Sequence, residues 1–283
     1  MKGEERLSMN DVTHATLPLN TGASIPQVGL GVWQIPKGAP CKNAVLAALE
    51  RGYRHVDTAR IYGNERDVGE AIRESGIGRA EVFVTTKLWN DDQGYDSALK
   101  AFDASLERLG LDYVDLFLIH WPVPGKRKES WRALEKLFRE KRAKAIGVSN
   151  FLVPHLTELL EDAEVVPAAN QIELSPFLQH RETRAFCKDK GIVVEAYSPL
   201  TRGEKLKDPR IAKIAGRVKK SPAQVMLRWG VQHGLVVLPK SANAVRIAEN
   251  AGLFDFELDA DAMKELDALE EGLATGWDPR GQK

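Results

Sequence analysis

The sequence predicts an α/β protein built as a single (β/α)8 barrel, also called a TIM barrel. Eight short apolar runs alternate with longer amphipathic runs, which is typical of a parallel sheet covered by helices. The 283 residues divide into eight units of about 35 residues, which leaves no room for a second domain. An open doubly wound sheet is the alternative, but the Gly-x-Gly-x-x-Gly fingerprint that usually follows its first strand is missing from the sequence.

A short hairpin is predicted ahead of the barrel. Residues 15–28 hold two short apolar segments around an Asn20-Thr21-Gly22 turn, which predicts a β-hairpin that closes the bottom of the barrel. We place residues 1–14 in an N-terminal extension and residues 15–283 in the barrel domain. The predicted barrel strands cover residues 28–33, 54–58, 82–88, 114–121, 143–149, 168–174, 192–198 and 235–240.

Amphipathic helices are predicted between these strands. In the third helical stretch, Leu99, Phe102 and Leu106 recur every three to four residues, so their side chains share one face. Ser221 and Pro222, followed by Gln224, predict the capped start of a later helix. That helix places residues 235–240 as the eighth strand.

The charge and the ends of the chain exclude several classes of protein. The 40 basic and 40 acidic residues give a formal net charge of zero, which does not suit a general binder of nucleic acid or anionic membranes. Residues 1–10 contain no apolar stretch typical of a signal peptide, and no apolar run approaches the ~20 residues of a membrane span. The two cysteines and six histidines show no metal-ligand spacing. We therefore expect a cytoplasmic protein without a metal site and without nucleic-acid or membrane partners.

Polar side chains end most of the predicted strands. Asp57, Lys87 and His120 end the second, third and fourth strands, each separated from the next by roughly 30 residues, the length of one βα unit. In a (β/α)8 barrel, the active site is built from the C-terminal strand ends and the loops that follow them. Tyr62 lies on the loop after Asp57. We therefore expect these four side chains to surround one pocket.

The four residue types together predict a proton donor for a carbonyl oxygen. A tyrosine has an ordinary pKa near ~10, which is too high for efficient proton exchange at neutral pH. We expect the Lys87 ammonium to lower the pKa of Tyr62, and Asp57 to keep Lys87 charged. His120 would hydrogen-bond the substrate oxygen. His55 is expected to face the other way from Asp57 and to pack in the core.

The sequence around this set resembles the aldo-keto reductase family over roughly residues 17–279. The matching stretches are residues 52–59, 62–65, 85–89, 115–122, 147–151, 196–200 and 238–241. The short loops look most like those of compact bacterial members similar to 2,5-diketo-D-gluconate reductases. The resemblance implies that Tyr62 is the proton donor, Lys87 tunes it, Asp57 is the partner of the lysine, and His120 orients the substrate.

The resemblance also implies NADPH as the cofactor and a set of residues that bind it. The implied contacts are Ser149, Asn150 and Gln171 with the carboxamide, Tyr197 with the nicotinamide ring, Ser198 and Leu200 with the pyrophosphate, Lys240, Ser241 and Arg246 with the adenosine 2′-phosphate, and Glu249 and Asn250 with the adenine. Lys240 and Arg246 flank the eighth strand–helix junction, where two cations and helical N–H groups favour a dianion. We therefore expect NADPH to be preferred over NADH.

Three tryptophans are expected to form the wall of the substrate site. Trp33, Trp89 and Trp121 close the first, third and fourth strands beside His120, and relatives use aromatic residues there to form an apolar slot. Such a slot suits small aldehydes, ketones or α-dicarbonyls, which the enzyme would reduce to alcohols. The alternative is a non-catalytic relative that binds nicotinamide cofactor as a sensor or structural protein. The resemblance further implies a monomer.

Overall fold

The described part of the chain begins with the predicted hairpin and continues into a barrel of parallel strands. The structure, a computed structural model, describes residues 15–277 and 279. Strands β1 (Thr16–Pro18) and β2 (Ser24–Pro26) pair antiparallel. The barrel strands are β3 (Leu30–Gly31), β4 (His55–Asp57), β5 (Phe83–Leu88), β6 (Val114–Ile119), β7 (Ala143–Ser149), β8 (Ala169–Glu173), β9 (Val193–Tyr197) and β10 (Val236–Leu238). The predicted extension, residues 1–14, lies outside the described residues.

The barrel strands pair in chain order from β3 to β10, and every pairing is parallel. The two edges of this sheet meet, because Val28 bridges Val237 and Gly31 bridges Lys240 in parallel register. The Gly31 amide donates to the Pro239 carbonyl at 3.1 Å. The predicted eight-stranded barrel is therefore confirmed.

Helices cover the outside of the barrel and bury its apolar strands. They are α1 (Ala39–Glu50), α2 (Glu65–Glu74), α3 (Tyr95–Leu109), α4 (Arg127–Arg139), α5 (Val153–Leu160), α6 (Arg181–Asp189), α7 (Pro209–Val218), α8 (Pro222–Gln232), α9 (Ala244–Ala251) and α10 (Ala260–Asp267). Every residue of β6 is buried, as expected for a strand covered on both faces. Helix α8 begins with the predicted capping box, in which Ser221 and Gln224 exchange hydrogen bonds.

The hairpin closes the N-terminal end of the barrel. Leu19 and Ile25 are buried in one cluster with side chains of the barrel interior, including Phe83 and Leu116. The Asn20 amide donates to the Pro167 carbonyl, just before β8 begins. An active site of this fold is expected at the opposite, C-terminal end of the barrel.

Neither a membrane-spanning helix nor a group of metal ligands is found among the described residues. No helix among residues 15–277 is both long and apolar enough to cross a lipid bilayer. Within the described residues, no three His, Cys, Asp or Glu side chains are grouped so that they could hold a metal ion.

Candidate active site

A buried ion pair lies at the C-terminal end of the barrel. The Lys87 ammonium, on β5, donates to both carboxylate oxygens of Asp57, on β4, at 2.7 Å each. It also donates to the Thr58 carbonyl at 2.9 Å. Lys87 is only 1% exposed, so its charge depends on these partners rather than on water. Neighbouring parallel strands therefore bring together two residues that are 30 positions apart in the sequence.

Tyr62 lies directly beside this pair. Its hydroxyl is 3.4 Å from the Lys87 ammonium nitrogen. Tyr62 ends a short 3-10 helix, Arg60–Tyr62, and Gly63 follows in a left-handed conformation with φ of 70°, which favours glycine. The next residue, Asn64, is fully buried and accepts a hydrogen bond from the Thr58 hydroxyl at 2.8 Å. The Tyr-Gly-Asn sequence thus fixes the loop that aims the phenol at the lysine.

The expectation that Lys87 lowers the pKa of Tyr62 is wrong for this structure. Burial raises the pKa of Tyr62 well above its ordinary value, and the carboxylate of Asp57 adds to the increase. The paired Asp57 offsets the positive charge of Lys87, so desolvation of the phenolate dominates. At neutral pH the phenol therefore keeps its proton, as a proton donor requires.

His120 completes the set from the end of β6. Its ring makes edge-on contacts with Tyr62 and Trp89, at centroid distances of 5.8 and 5.3 Å. Burial lowers the pKa of His120 well below its ordinary value, and the charge of Lys87 lowers it further. The imidazole is therefore neutral at pH 7 and carries one N–H group that can hydrogen-bond a substrate oxygen.

These side chains adjoin a cleft of ≈ 900 Å³ at the mouth of the barrel. Lys87 lies beneath its surface, whereas Asp57, Tyr62 and His120 line it. All the predicted substrate and cofactor residues line it as well: Trp33, Trp89, Trp121, Ser149, Asn150, Gln171, Tyr197, Ser198, Leu200, Lys240, Ser241, Arg246, Glu249 and Asn250. The structure therefore brings every residue of the predicted site except Lys87 to the lining of one cavity.

Hydrogen bonds preorganise the part of the cleft next to Tyr62. The Tyr197 hydroxyl donates to the Asn150 side-chain oxygen at 2.8 Å. The Ser149 hydroxyl donates to the Gln171 carbonyl at 2.8 Å, and the Gln171 amide donates to Asp57 at 2.9 Å. The residues assigned to the nicotinamide end are thus coupled to the ion pair.

The other end of the cleft is cationic. Asn243 is the N-cap of helix α9, and its side chain accepts hydrogen bonds from the Val245 and Arg246 amides at 2.9 and 3.1 Å. Arg246 and Lys240 both line the cleft here. Within the described chain, neither forms an ion pair with a carboxylate.

Most of the sequence matches one known family. The pattern of the Aldo/keto reductase family covers residues 27–271. The chain belongs to the aldo/keto reductase family. It is therefore an NADPH-dependent oxidoreductase that reduces carbonyl groups, and the predicted family, cofactor and enzyme class are confirmed.

Several relatives of this aldo/keto reductase are similar over nearly their full length. Glyoxal reductase from Bacillus subtilis is 51% identical over 264 residues, which are 93% of this chain and 96% of the relative. The 9,11-endoperoxide prostaglandin H2 reductase from Trypanosoma cruzi is 52% identical over 92% of this chain and 93% of its own. A crystal structure of an aldo/keto reductase from Brucella melitensis is 51% identical, with a TM-score of 0.88, and covers 90% of this chain and 99% of that one.

The cleft of this aldo/keto reductase fits a reduced nicotinamide dinucleotide phosphate. Its polar donors are divided between two ends, with side-chain amides next to Tyr62 and two cations at Lys240 and Arg246. Amides suit a carboxamide, and a pair of cations suits a phosphate dianion. A Bombyx mori aldo-keto reductase, described in complex with NADP, is 36% identical with a TM-score of 0.87 and covers 93% of this chain and 95% of its own.

One loop links two sides of the cleft. The Arg202 guanidinium lies 4.7 Å from the centroid of the Trp33 ring, a cation–π contact between the loop after β9 and the loop after β3. Thr201 and Arg202 have φ values of 49° and 51°, which are uncommon for residues other than glycine. This left-handed backbone belongs to the segment that carries Arg202 to Trp33.

His55 is buried as expected, but it does not face away from Asp57. His55 is fully buried, and its Nε2 is 3.1 Å from the Thr85 hydroxyl. Side chains alternate along a strand, so His55 and Asp57, which are two residues apart, point to the same side. Burial lowers the pKa of His55 to about 4, so the imidazole is neutral.

Glu195 is a buried acid that the sequence analysis missed. It is on β9, fully buried, and accepts a hydrogen bond from the Gln171 amide at 3.3 Å. Its other carboxylate oxygen has no hydrogen-bond partner among the described residues. Burial raises the pKa of Glu195 to about 8, and the charge of Asp57 contributes to the increase. An acidic residue in the interior of a predicted parallel strand is the signal that could have identified it.

Glu195 predicts a pH dependence of stability. The folded protein holds a proton on this carboxyl up to pH about 8, whereas the unfolded chain releases it near its ordinary pKa. Stability from this group is therefore complete at acidic pH and is lost as the pH rises from about 4.5 to about 8, with a limiting slope of about 1.4 kcal/mol per pH unit. In urea unfolding, the free energy of unfolding of Glu195→Gln relative to that of wild type should increase as the pH rises across this range. A difference that does not change with pH would contradict the assignment.

Proposed function

We propose that this aldo/keto reductase reduces small aldehydes, ketones and α-dicarbonyls to alcohols, with Tyr62 as the proton donor. The observation that supports this proposal most strongly is the position of the Tyr62 hydroxyl, 3.4 Å from the ammonium of Lys87, which is itself fixed by both oxygens of Asp57. This arrangement borders a cleft walled by tryptophans. It places a protonated phenol and a fixed positive charge where a carbonyl oxygen can enter.

Each member of the set has one part in the reaction. Tyr62 gives its hydroxyl proton to the carbonyl oxygen, which carries negative charge as it is reduced. Lys87 stabilises the phenolate that remains, and Asp57 holds Lys87 charged and in place. The neutral His120 donates a hydrogen bond that orients the same oxygen. NADPH, when bound, supplies the hydride that reduces the carbonyl carbon.

The cofactor-binding residues are proposed from the resemblance to the family, and all of them line the cleft. Ser149, Asn150 and Gln171 hold the carboxamide and Tyr197 stacks on the ring, which keeps the nicotinamide next to Tyr62. Toward the other end, the proposed contacts are Ser198 and Leu200 with the pyrophosphate, Lys240, Ser241 and Arg246 with the 2′-phosphate, and Glu249 and Asn250 with the adenine.

Arg246 predicts a change in cofactor preference. We expect Arg246→Ala to raise KM for NADPH by about 10-fold or more, because a charge-assisted bond to the 2′-phosphate is lost. KM for NADH, which lacks that phosphate, should change by less than about two-fold. Lys264→Ala, an exposed lysine outside the cleft, is the matched control. Equal losses for both cofactors would remove Arg246 from the phosphate site.

The shape of the cleft supports the substrate class. Trp33, Trp89 and Trp121 provide apolar walls. Tyr62 and His120 provide the polar contacts to the carbonyl oxygen, which all candidate substrates share, so selection among substrates depends mainly on shape. The relative named glyoxal reductase supports α-dicarbonyls as substrates. The test is NADPH consumption with a carbonyl panel that includes methylglyoxal and a nitrobenzaldehyde. No turnover with any member would favour the non-catalytic alternative. The cytoplasmic location and the monomeric state stay predictions from the sequence.

A further inference from the structure

A buried carboxylate holds the C-terminal tail over the barrel. We use tail for residues 273–277. Glu173, the last residue of β8, is 6% exposed. One of its oxygens accepts hydrogen bonds from the Thr275 amide and hydroxyl at 2.7 and 2.5 Å. The other accepts from the Gly276 amide at 2.9 Å. Among the described residues, Glu173 forms no ion pair, so the tail supplies the donors that compensate its burial.

Glycine at position 276 lets the tail backbone lie close to Glu173. A Cβ atom added there would lie 2.9 Å from a carboxylate oxygen of Glu173 and 3.4 Å from an Arg202 nitrogen. Both atoms end flexible side chains, so a larger residue would displace the Glu173 carboxylate from its present position. The tail therefore contacts Glu173 through two successive residues, Thr275 and Gly276.

The residue that follows reaches the substrate cleft. Trp277 lines the cleft together with Tyr62, and its ring centroid is 5.9 Å from that of Trp121. The Trp277 side chain is nevertheless 71% exposed. Because the ring is so exposed, packing contacts alone do little to fix its position. The hydrogen bonds at Thr275 and Gly276 therefore position Trp277.

Glu173 also connects the tail with the cofactor end of the site. It pairs in register with Tyr197 on β9, and it follows Gln171 by two residues on β8. Both neighbours are among the proposed nicotinamide contacts. The tail that carries Trp277 is thus attached to the two strands that carry these nicotinamide contacts.

We propose that Glu173 is a specificity-determining positioning residue, which fixes Trp277 as the outer wall of the substrate site. This inference rests on the proposed function. An aromatic or bulky apolar carbonyl compound extends from Tyr62 far enough to contact Trp277, whereas a small α-dicarbonyl does not. Glu173 therefore favours the larger class without acting on the reacting atoms.

The first test compares two substrates in three variants. Glu173→Gln replaces one acceptor with a donor that opposes the tail amides, Thr275→Ala removes only the hydroxyl bond, and Trp277→Ala removes the wall. We expect Glu173→Gln and Trp277→Ala each to raise KM for a nitrobenzaldehyde by about 5- to 10-fold. KM for methylglyoxal, kcat and the Kd of NADPH should change by less than about two-fold. Thr275→Ala should have a smaller effect in the same direction.

A double variant shows whether Glu173 acts through Trp277. If it does, Glu173→Gln/Trp277→Ala should raise KM for the nitrobenzaldehyde no further than Trp277→Ala alone. Glu257→Gln, an exposed acid with a matched change of charge, should behave as wild type. An effect of Trp277→Ala without any effect of Glu173→Gln would overturn the proposal, as would additive effects in the double variant.

A second measurement does not depend on turnover. Hydrogen exchange of the Thr275 and Gly276 amides should be about 10-fold faster or more in Glu173→Gln than in wild type, because glutamine keeps one neutral acceptor and presents its own NH2 group to the other amide. Unchanged exchange would overturn the proposal even if the enzyme reduced no carbonyl compound. Failure of the proposed function would appear separately, as a wild-type protein that consumes NADPH with no member of the panel.

Discussion

Replacing Tyr62 with phenylalanine is expected to lower kcat by about 10²- to 10⁴-fold, the contribution typical of a positioned general acid. The aromatic ring stays, so its edge-on contact with His120 and the shape of the cleft are kept. Only the hydroxyl next to Lys87 is lost. The Kd of NADPH should therefore stay within about two-fold of wild type, measured by fluorescence titration.

Tyr95→Phe is the matched control for this change. Tyr95 is 40% exposed and does not line the cleft, so the variant should keep wild-type turnover. NADPH consumption with methylglyoxal compares the three proteins. Undiminished turnover by Tyr62→Phe would rule out Tyr62 as the proton donor.

Lys87→Met is expected to lose both activity and stability. The Asp57 carboxylate, 4% exposed, would keep the Gln171 amide as a partner but lose the one cation that pairs with it among residues 15–277. Breaking a buried ion pair by removing one partner typically costs about 3 to 5 kcal/mol, and we expect a loss of this size in the free energy of unfolding. Turnover should fall at least as far as in Tyr62→Phe, because the phenolate loses its positive neighbour.

The double variant Asp57→Asn/Lys87→Met separates the two effects. It removes both charges, so much of the lost stability should return in urea unfolding, whereas turnover should stay low. A Lys87→Met protein as stable as wild type would show that the pair does not act as a buried charge pair. Recovery of turnover in the double variant would show that the charge of Lys87 is not needed.

The barrel and the clustering of Asp57, Tyr62, Lys87 and His120 could be predicted from the sequence because both depend on local pattern. Alternating apolar and amphipathic runs fix the order of strands and helices, and one βα unit separates Asp57, Lys87 and His120. The strand ends were less accurate. The first strand was predicted over residues 28–33, but its regular part is only Leu30–Gly31, and Val28 joins Val237 through a single isolated bridge.

Properties that depend on burial could not be predicted in the same way. The pKa of Tyr62 rises because its surroundings exclude water, and no residue near it in the sequence reveals that. The attachment of the tail joins Glu173 to Thr275, about 100 residues further along the chain. The orientation of His55 was predictable from strand alternation, but the sequence analysis misjudged it.

Isotope transfer tests most directly the central claim, that this site reduces a carbonyl group with hydride from NADPH while Tyr62 supplies the proton. The protein is incubated with methylglyoxal and NADPH deuterated at the reactive carbon of the nicotinamide ring, and the product is analysed by mass spectrometry. We expect one deuterium on the carbinol carbon of the alcohol, formed by wild type and almost none by Tyr62→Phe. An alcohol without deuterium would contradict the claim, as would equal amounts of deuterated alcohol formed by the two proteins.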